Sequence, residues 1–272
     1  ANPKSTIGRL DLHTRLLADR VCQYDTLSKG FSGKLAGLVT PKSFPVLLHE
    51  DTPLNQMRFF NGDARLSGFA LESFMQREKP LYVPDGEQKS ALRFKESNRS
   101  DERSLLLTVG TDYEIPGYVA RKGINFDPID ISKKKHYKWA DYFDIVQREK
   151  DGSLVLEKGR FYILATYEHV LIPPLFAAEI ASINDRLGEF RSHYAGFIDN
   201  GFGYGKEGEL KGAPIVLEVR PFETMRITNK QPVARLKFEP TIARPIKIYG
   251  EDGVGSNYAD QIGPRLAKQF RM

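Results

Sequence analysis

Ala195-Gly196-Phe197-Ile198-Asp199-Asn200-Gly201-Phe202 is followed, after a Gly-rich excursion, by Ala213-Pro214-Ile215-Val216-Leu217-Glu218-Val219. Short apolar runs bounded by turn residues read as buried β-strands. The first run enters a turn that carries one Asp, and the second has one Glu embedded in it. A carboxylate inside an apolar β run is costly to bury unless it is paired or used. Asp199 and Glu218 are therefore the first functional candidates. Gly201 to Gly212 lacks the Gly-Lys-Ser/Thr of a phosphate-binding P-loop and is expected to be a mobile hairpin insertion.

The same β pattern extends outward. Leu35 to Val39, Phe44 to Leu48 and Gln56 to Phe60 are short strand candidates separated by Gly, Pro and Asp turns. Ser67 to Arg77 has the length of two or three helical turns, and Glu87 to Arg103, dense in charge, Ser and Asn, reads as a surface loop. Tyr142 to Val146 and Leu154 to Leu156 flank Asp151-Gly152, a hairpin signal. Phe161 to Ala165 reads as a buried strand, and Pro173-Pro174 ends the strand after it. Leu175 to Phe190 has helical periodicity, with Ile183 to Leu187 as its shortest form. The expected class is all-β with a few short helices.

Composition bounds the function. The 272 residues are 40% hydrophobic and 28% charged, ordinary for a soluble globular protein with ample core. The net charge of +5 is spread along the chain, and Lys133-Lys134-Lys135, the one compact basic run, reads as a solvated loop rather than a nucleic-acid patch. Lys268 and Arg271 are likewise expected in solvent. A single cysteine, Cys22, permits no intrachain disulfide and fits a reducing cytoplasm. No apolar run approaches the ~20 residues of a membrane span, and no basic-then-apolar leader opens the chain. The chain starts at Ala1 rather than Met, so further residues are expected upstream.

The two ends match each other in order. Ser5 to Leu10 parallels Ser182 to Leu187 (Ser, three residues, Arg, Leu), Gly30-Phe31 parallels Gly201-Phe202, and Pro53 to Phe59 parallels Pro232 to Phe238. Three matches in one order point to a duplicated β domain: residues 1–62 as a degenerate, N-terminally incomplete first copy, 63–104 as linker and start of the second, and 105–272 as the second copy with a C-terminal lid.

The ordered motifs resemble the dCTP deaminase family of the dUTPase-like superfamily, most nearly its double-length bacterial members. The resemblance rests on Glu157 to Ala165, Glu168 to Pro173, Ser182 with Arg186, Ile198-Asp199-Asn200-Gly201-Phe202, Leu217-Glu218, Tyr249, and Asn257 to Pro264. It implies tandem dUTPase-like distorted β-barrels (a jelly-roll-like β-clip), conversion of dCTP to dUTP and ammonia, Mg²⁺ riding on the triphosphate, possible inhibition by dTTP, and a homo-oligomer, a trimer being one form, with sites between β domains. Rival readings are a dUTP diphosphatase, a bifunctional enzyme and a non-catalytic nucleotide-binding protein. No nucleic-acid or membrane partner is expected.

The resemblance also implies roles. Glu218 would activate the water, Arg9 would hold Glu218 or the water, and Ser5 would fix the water. Asp199 would accept the sugar 3′-hydroxyl, and Phe202 would pack on the deoxyribose. Backbone groups near His193, Ala195 and Val216 would read the cytosine edge. Lys4, Thr6, Tyr249, Tyr258 and Gln261 would contact or close over the phosphates; Asn257 stands where the family has a Lys. The zinc deaminases use His/Cys ligands, a set that one Cys and five scattered His do not supply. The copies depart from the pattern in complementary ways. Lys4-Ser5-Thr6 with Arg9 retains phosphate-contacting chemistry that Ala181 and Ile183 lack, whereas Leu38 or Val39 falls where the second copy has Glu218. A site mixed between the copies is therefore expected, with Ser182 and Arg186 as the alternative partners of Glu218. The structural alternatives are an Asx turn at Asp199, an exposed face for Glu218, a helix N-cap at Ser5, a surface role for Arg9, and a core or rim position for His193.

Overall fold

The computed structural model describes residues 1–84, 104–123, 126–183, 196–251, 253–254, 257–259 and 261–272. These residues are mostly β, with two α-helices, α1 (Ser5–Gly8) and α2 (Gly68–Glu78), and one 3₁₀ turn at Trp139–Asp141. The all-β expectation holds. No helix among the described residues is long and apolar enough to cross a membrane.

Two antiparallel sheets organise the chain. One runs Phe143–Ile145, Tyr118–Ala120, Tyr162–Val170, Ala213–Val219, with Leu81–Tyr82 pairing the far end of Tyr162–Val170. The other runs Phe197–Ile198, Phe176–Ser182, Pro232–Pro240, Leu105–Thr108. Every residue of Ala213–Val219 is buried, as a continuous apolar run requires when both faces are covered. Phe176–Ser182 is a strand, not the helix that periodicity allowed from Leu175; residues 184–190, with most of the short form Ile183 to Leu187, lie outside the described residues. Ala177 and Ala178 are buried, and Phe176 to Ser182 pair residue by residue with Pro240 to Ala234, so sheet pairing overrides local preference. The Asp151-Gly152 turn forms, with Gly152 at φ 79°, but it closes no hairpin. Phe143–Ile145 pairs with Tyr118–Ala120, and Leu154–Leu156 pairs with Met225–Ile227. Of Phe44 to Leu48 only Val46–Leu47 is strand, and of the Gln56 to Phe60 run only Gln56, within Asn55–Gln56.

The first 62 residues do not pack as a separate unit. Ile7, Leu10, Leu12 and Phe44 share one core cluster with Tyr118, Phe143, Phe161 and Phe270. Asp11, fully buried, accepts a hydrogen bond from Ser43 Oγ and pairs with Arg220, one residue beyond Ala213–Val219. The segment expected as linker contributes α2, whose Leu71, Phe74 and Met75 recur at helical spacing and are buried in a second cluster. Phe74 lies 4.6 Å from both Phe176 and Phe238, centroid to centroid. The charged run 87–103 lies outside the described residues.

Candidate functional site

α1 has four residues, too short to be stable by itself. Burial of Ile7 and Leu10 holds it in place. Its N-cap is Lys4, not Ser5, and no side chain caps it. Ser5 instead turns its hydroxyl to Arg9, which donates from Nε at 3.1 Å. Arg9 is not a surface arginine. It is 3% exposed, donates to the Arg265 carbonyl at 2.8 Å and to Gln261 Oε1 at 2.9 Å, and lies 3.7 Å over the Tyr258 ring. Gln261 in turn donates to the Pro214 carbonyl at 2.5 Å, and Thr6 Oγ1 and the Tyr258 hydroxyl share a hydrogen bond of 2.8 Å. One arginine thus ties α1 to the C-terminal segment and, through Gln261, to the strand that carries Glu218. Burial pulls the Arg9 guanidinium below its ordinary proton affinity, and Tyr258 and Glu218 oppose the shift.

These groups line a single cavity of about 220 Å³. Lys4, Ser5, Thr6 and Arg9 form one side. Asp199, Phe202, Val216 and Glu218 come from the two stretches that decided the fold, and Tyr249, Tyr258 and Gln261 from the C-terminal segment. Glu218 is 2% exposed, which removes the reading of it as a solvent-facing strand residue. Phe202 is buried with its ring 5.4 Å from Tyr249, whose amide donates to the Asn200 carbonyl at 2.8 Å. Gly201 makes this turn possible: its φ is 84°, and a Cβ there would lie 2.6 Å from Ile248.

Asp199 lies at the opening, half-exposed, 3.6 Å from Arg58. Partial burial raises its proton affinity, and Arg58 and Lys4 oppose the shift. Arg58 is the main residue that sequence reasoning missed. It donates to the carbonyls of Ala178 at 2.9 Å and Ile198 at 2.7 Å and stacks 4.2 Å over Phe197. The available signal was one cation inside the run Gln56 to Phe60.

Ser182 ends a strand, is exposed, and does not line the cavity. Ser5 opens α1, whereas Ser182 closes a strand; residues 184–187, the rest of the segment matched to Ser5 to Leu10, lie outside the described residues. Leu38, set against Glu218 in the same comparison, is exposed on a hairpin opposite Arg15. His193, Ala195 and Arg186 lie outside the described residues. Lys268, expected in solvent, is half-buried.

A model described as the C-terminal domain of 2′-deoxycytidine 5′-triphosphate deaminase matches residues 84–270, and its N-terminal counterpart matches residues 1–63. A relative from Bifidobacterium longum, named "dCTP deaminase, dUMP-forming", is 29% identical over 124 residues, covering 44% of this chain and 60% of its own. A Kocuria rhizophila relative of the same name is 29% identical over 128 residues, covering 46% and 62%. The chain thus spans less than two thirds of the length of these curated relatives. A solved structure of 2′-deoxycytidine 5′-triphosphate deaminase from Agrobacterium tumefaciens superposes with a TM-score of 0.76 at 30% identity, covering 90% of this chain and 68% of that one.

Proposed function

Because the chain belongs to the 2′-deoxycytidine 5′-triphosphate deaminase family, we propose that it replaces the 4-amino group of dCTP with oxygen at the Glu218 cavity. One observation carries the proposal. Lys4, Ser5, Thr6 and Arg9 meet Asp199 and Glu218 around one cavity built by a single chain. Cations and hydroxyls suited to phosphate stand on one side, and a buried carboxylate suited to proton transfer stands on the other.

Glu218 takes a proton from water as its oxygen bonds to C4 of the cytosine ring. The same carboxyl returns a proton to the amino nitrogen, the C4–N bond breaks, and ammonia leaves. Arg9 is the fixed positive charge beside Glu218, and its bond to Ser5 holds that hydroxyl in place. Asp199 accepts the sugar 3′-hydroxyl, and Phe202 packs against the deoxyribose. General acid–base help supplies about 10²–10⁴-fold, and positioning supplies much of the remainder.

The proposed reaction is zinc-independent: the zinc deaminases use His and Cys ligands, and this chain has one Cys and five scattered His. Mg²⁺ enters on the triphosphate as part of the substrate. dTTP, with the same sugar and phosphates, competes for the cavity. Association into a homo-oligomer and a cytoplasmic site of action complete the proposal; the exposed Leu17, Leu35 and Leu38 are apolar surface that such association would cover.

Isotopically labelled dCTP tests the reaction. Release of ammonia with formation of dUTP is expected. The relatives' printed names favour a second reading, in which hydrolysis continues to dUMP. Labelled dUMP and diphosphate appearing after dUTP would establish it. Hydrolysis of dUTP with dCTP untouched would overturn the deaminase.

A further inference from the structure

The basic run read as a solvated loop lies beside the site. The amides of Lys135 and His136 donate to the carbonyls of Lys268 and Gln269, both at 2.8 Å, so the loop carrying Lys134 is docked on the segment carrying Lys268. The Lys268 amide donates at 3.1 Å to the Tyr258 hydroxyl, the same hydroxyl that bonds Thr6. One tyrosine therefore fixes Lys268 relative to the start of α1.

Two further cavities, of about 420 and 610 Å³, open at this place, and Lys134, Asn257 and Lys268 line both. The larger is also lined by Lys4 and Thr6, which with Asn257 line the Glu218 cavity, so the spaces adjoin. Arg265, Lys135 and Arg271 line the smaller one and no carboxylate side chain does; Glu50 and Asp51 border the larger. Lys268 loses proton affinity first through burial and then through Lys134 and Lys4. Lys4 also faces Asp199. The cations around the two cavities nevertheless outnumber the bordering Glu50 and Asp51 side chains, an excess of positive charge that suits a polyanion.

We propose that Lys134 and Lys268 bind the terminal phosphate of the nucleotide and give this chain its preference for a triphosphate over a monophosphate. The inference rests on the reading of the Glu218 cavity as the base and sugar site. Lys4 and Thr6 then take the phosphates nearer the sugar, and the polyphosphate runs past Asn257 toward the paired lysines.

The test uses the full chain, the double variant Lys134→Gln/Lys268→Gln and the double variant Lys134→Arg/Lys268→Arg, with inorganic tripolyphosphate as a base-free probe. Calorimetric titration is expected to show tripolyphosphate binding at least tenfold weaker in the Gln variant and largely retained in the Arg variant. In turnover, the Gln variant is expected to raise KM for dCTP at least tenfold while kcat stays within twofold, with affinity for dCMP unchanged. Wild-type KM for dCTP in the Gln variant would overturn the inference while leaving the deaminase reading intact, and so would an equal loss of dCTP and dCMP affinity. Lysine-dependent tripolyphosphate binding by a protein that leaves dCTP unchanged would sink the deaminase reading and keep the phosphate site.

Discussion

Both competing site arrangements use Glu218, and substitution of Ser5 and Ser182 separates them. Glu218 is buried in a fully buried strand, next to the positive charge of Arg9. Glu218→Gln keeps the volume and hydrogen-bonding capacity of the side chain and removes its ability to carry a proton. Turnover of dCTP is expected to fall by about 10²–10⁴-fold with nucleotide affinity kept within threefold, read by steady-state kinetics and equilibrium titration. Ser182 is exposed at a strand end, paired with Ala234, and its carbonyl accepts from Arg235 at 2.8 Å. Ser182→Ala is therefore expected to leave kcat/KM unchanged, whereas Ser5→Ala removes the acceptor of Arg9 Nε and lowers it. A large loss from Ser182→Ala with none from Ser5→Ala would move the site to the rival arrangement.

At the scale of elements, the turn that carries Asp199 is held by Arg58, and Arg58 stands within a cluster of carboxylates. Its Nη1 lies 3.9 Å from Glu239, which is 7% exposed. Burial is the largest cause of Glu239's raised proton affinity, the neighbouring Glu179 charge adds to it, and Arg58 and Arg65 oppose it. A folded-state pKa above the usual 4.5 means that folding favours the protonated form. That contribution is full below the usual value and is lost as pH rises through the raised one. Glu239→Gln is therefore expected to raise Tm at pH 7, by about 2–4 °C if the gain is near 1 kcal/mol, and to match the wild type below about pH 4, where both side chains are neutral. An equal or lower Tm for the variant at pH 7 would show that the Arg58 contact outweighs burial. Ala213–Val219 formed as expected: every residue but Glu218 is apolar, and all are buried. The misread elements had partners that local sequence does not encode. Leu175 onward is strand because Pro232–Pro240 pairs with it, and Asp151-Gly152 turns between strands that pair elsewhere. Arg58 was hidden for the same reason: its carbonyl partners lie more than a hundred residues away.

At the scale of the molecule, two stretches 209 residues apart make one site, and a partly buried ion pair connects their frames. Asp11 follows α1 two residues after Arg9, has φ 54°, and is fully buried. It receives Ser43 Oγ at 2.6 Å and pairs with Arg220, two residues past Glu218. Arg220 also donates to the Gly159 carbonyl, so the pair fastens the α1 segment to the end of the Glu218 strand. Removing one partner of a fully buried pair costs about 3–5 kcal/mol, but Arg220 is partly exposed and water lowers the penalty for leaving it unpaired. Asp11→Ala is expected to lower the free energy of unfolding by less than that, read from the urea midpoint at constant m-value. Asp11→Asn keeps a hydrogen-bonding oxygen and tolerates the left-handed backbone, so its loss is expected to be smaller. Catalysis should follow the same order at temperatures where every variant is folded, because displacement of α1 carries Ser5 and Arg9 away from Glu218. Should Asp11→Ala prove as stable and as active as the wild type, the alignment of the two halves of the site would have to come from the shared core of Ile7, Leu10 and Leu12 alone.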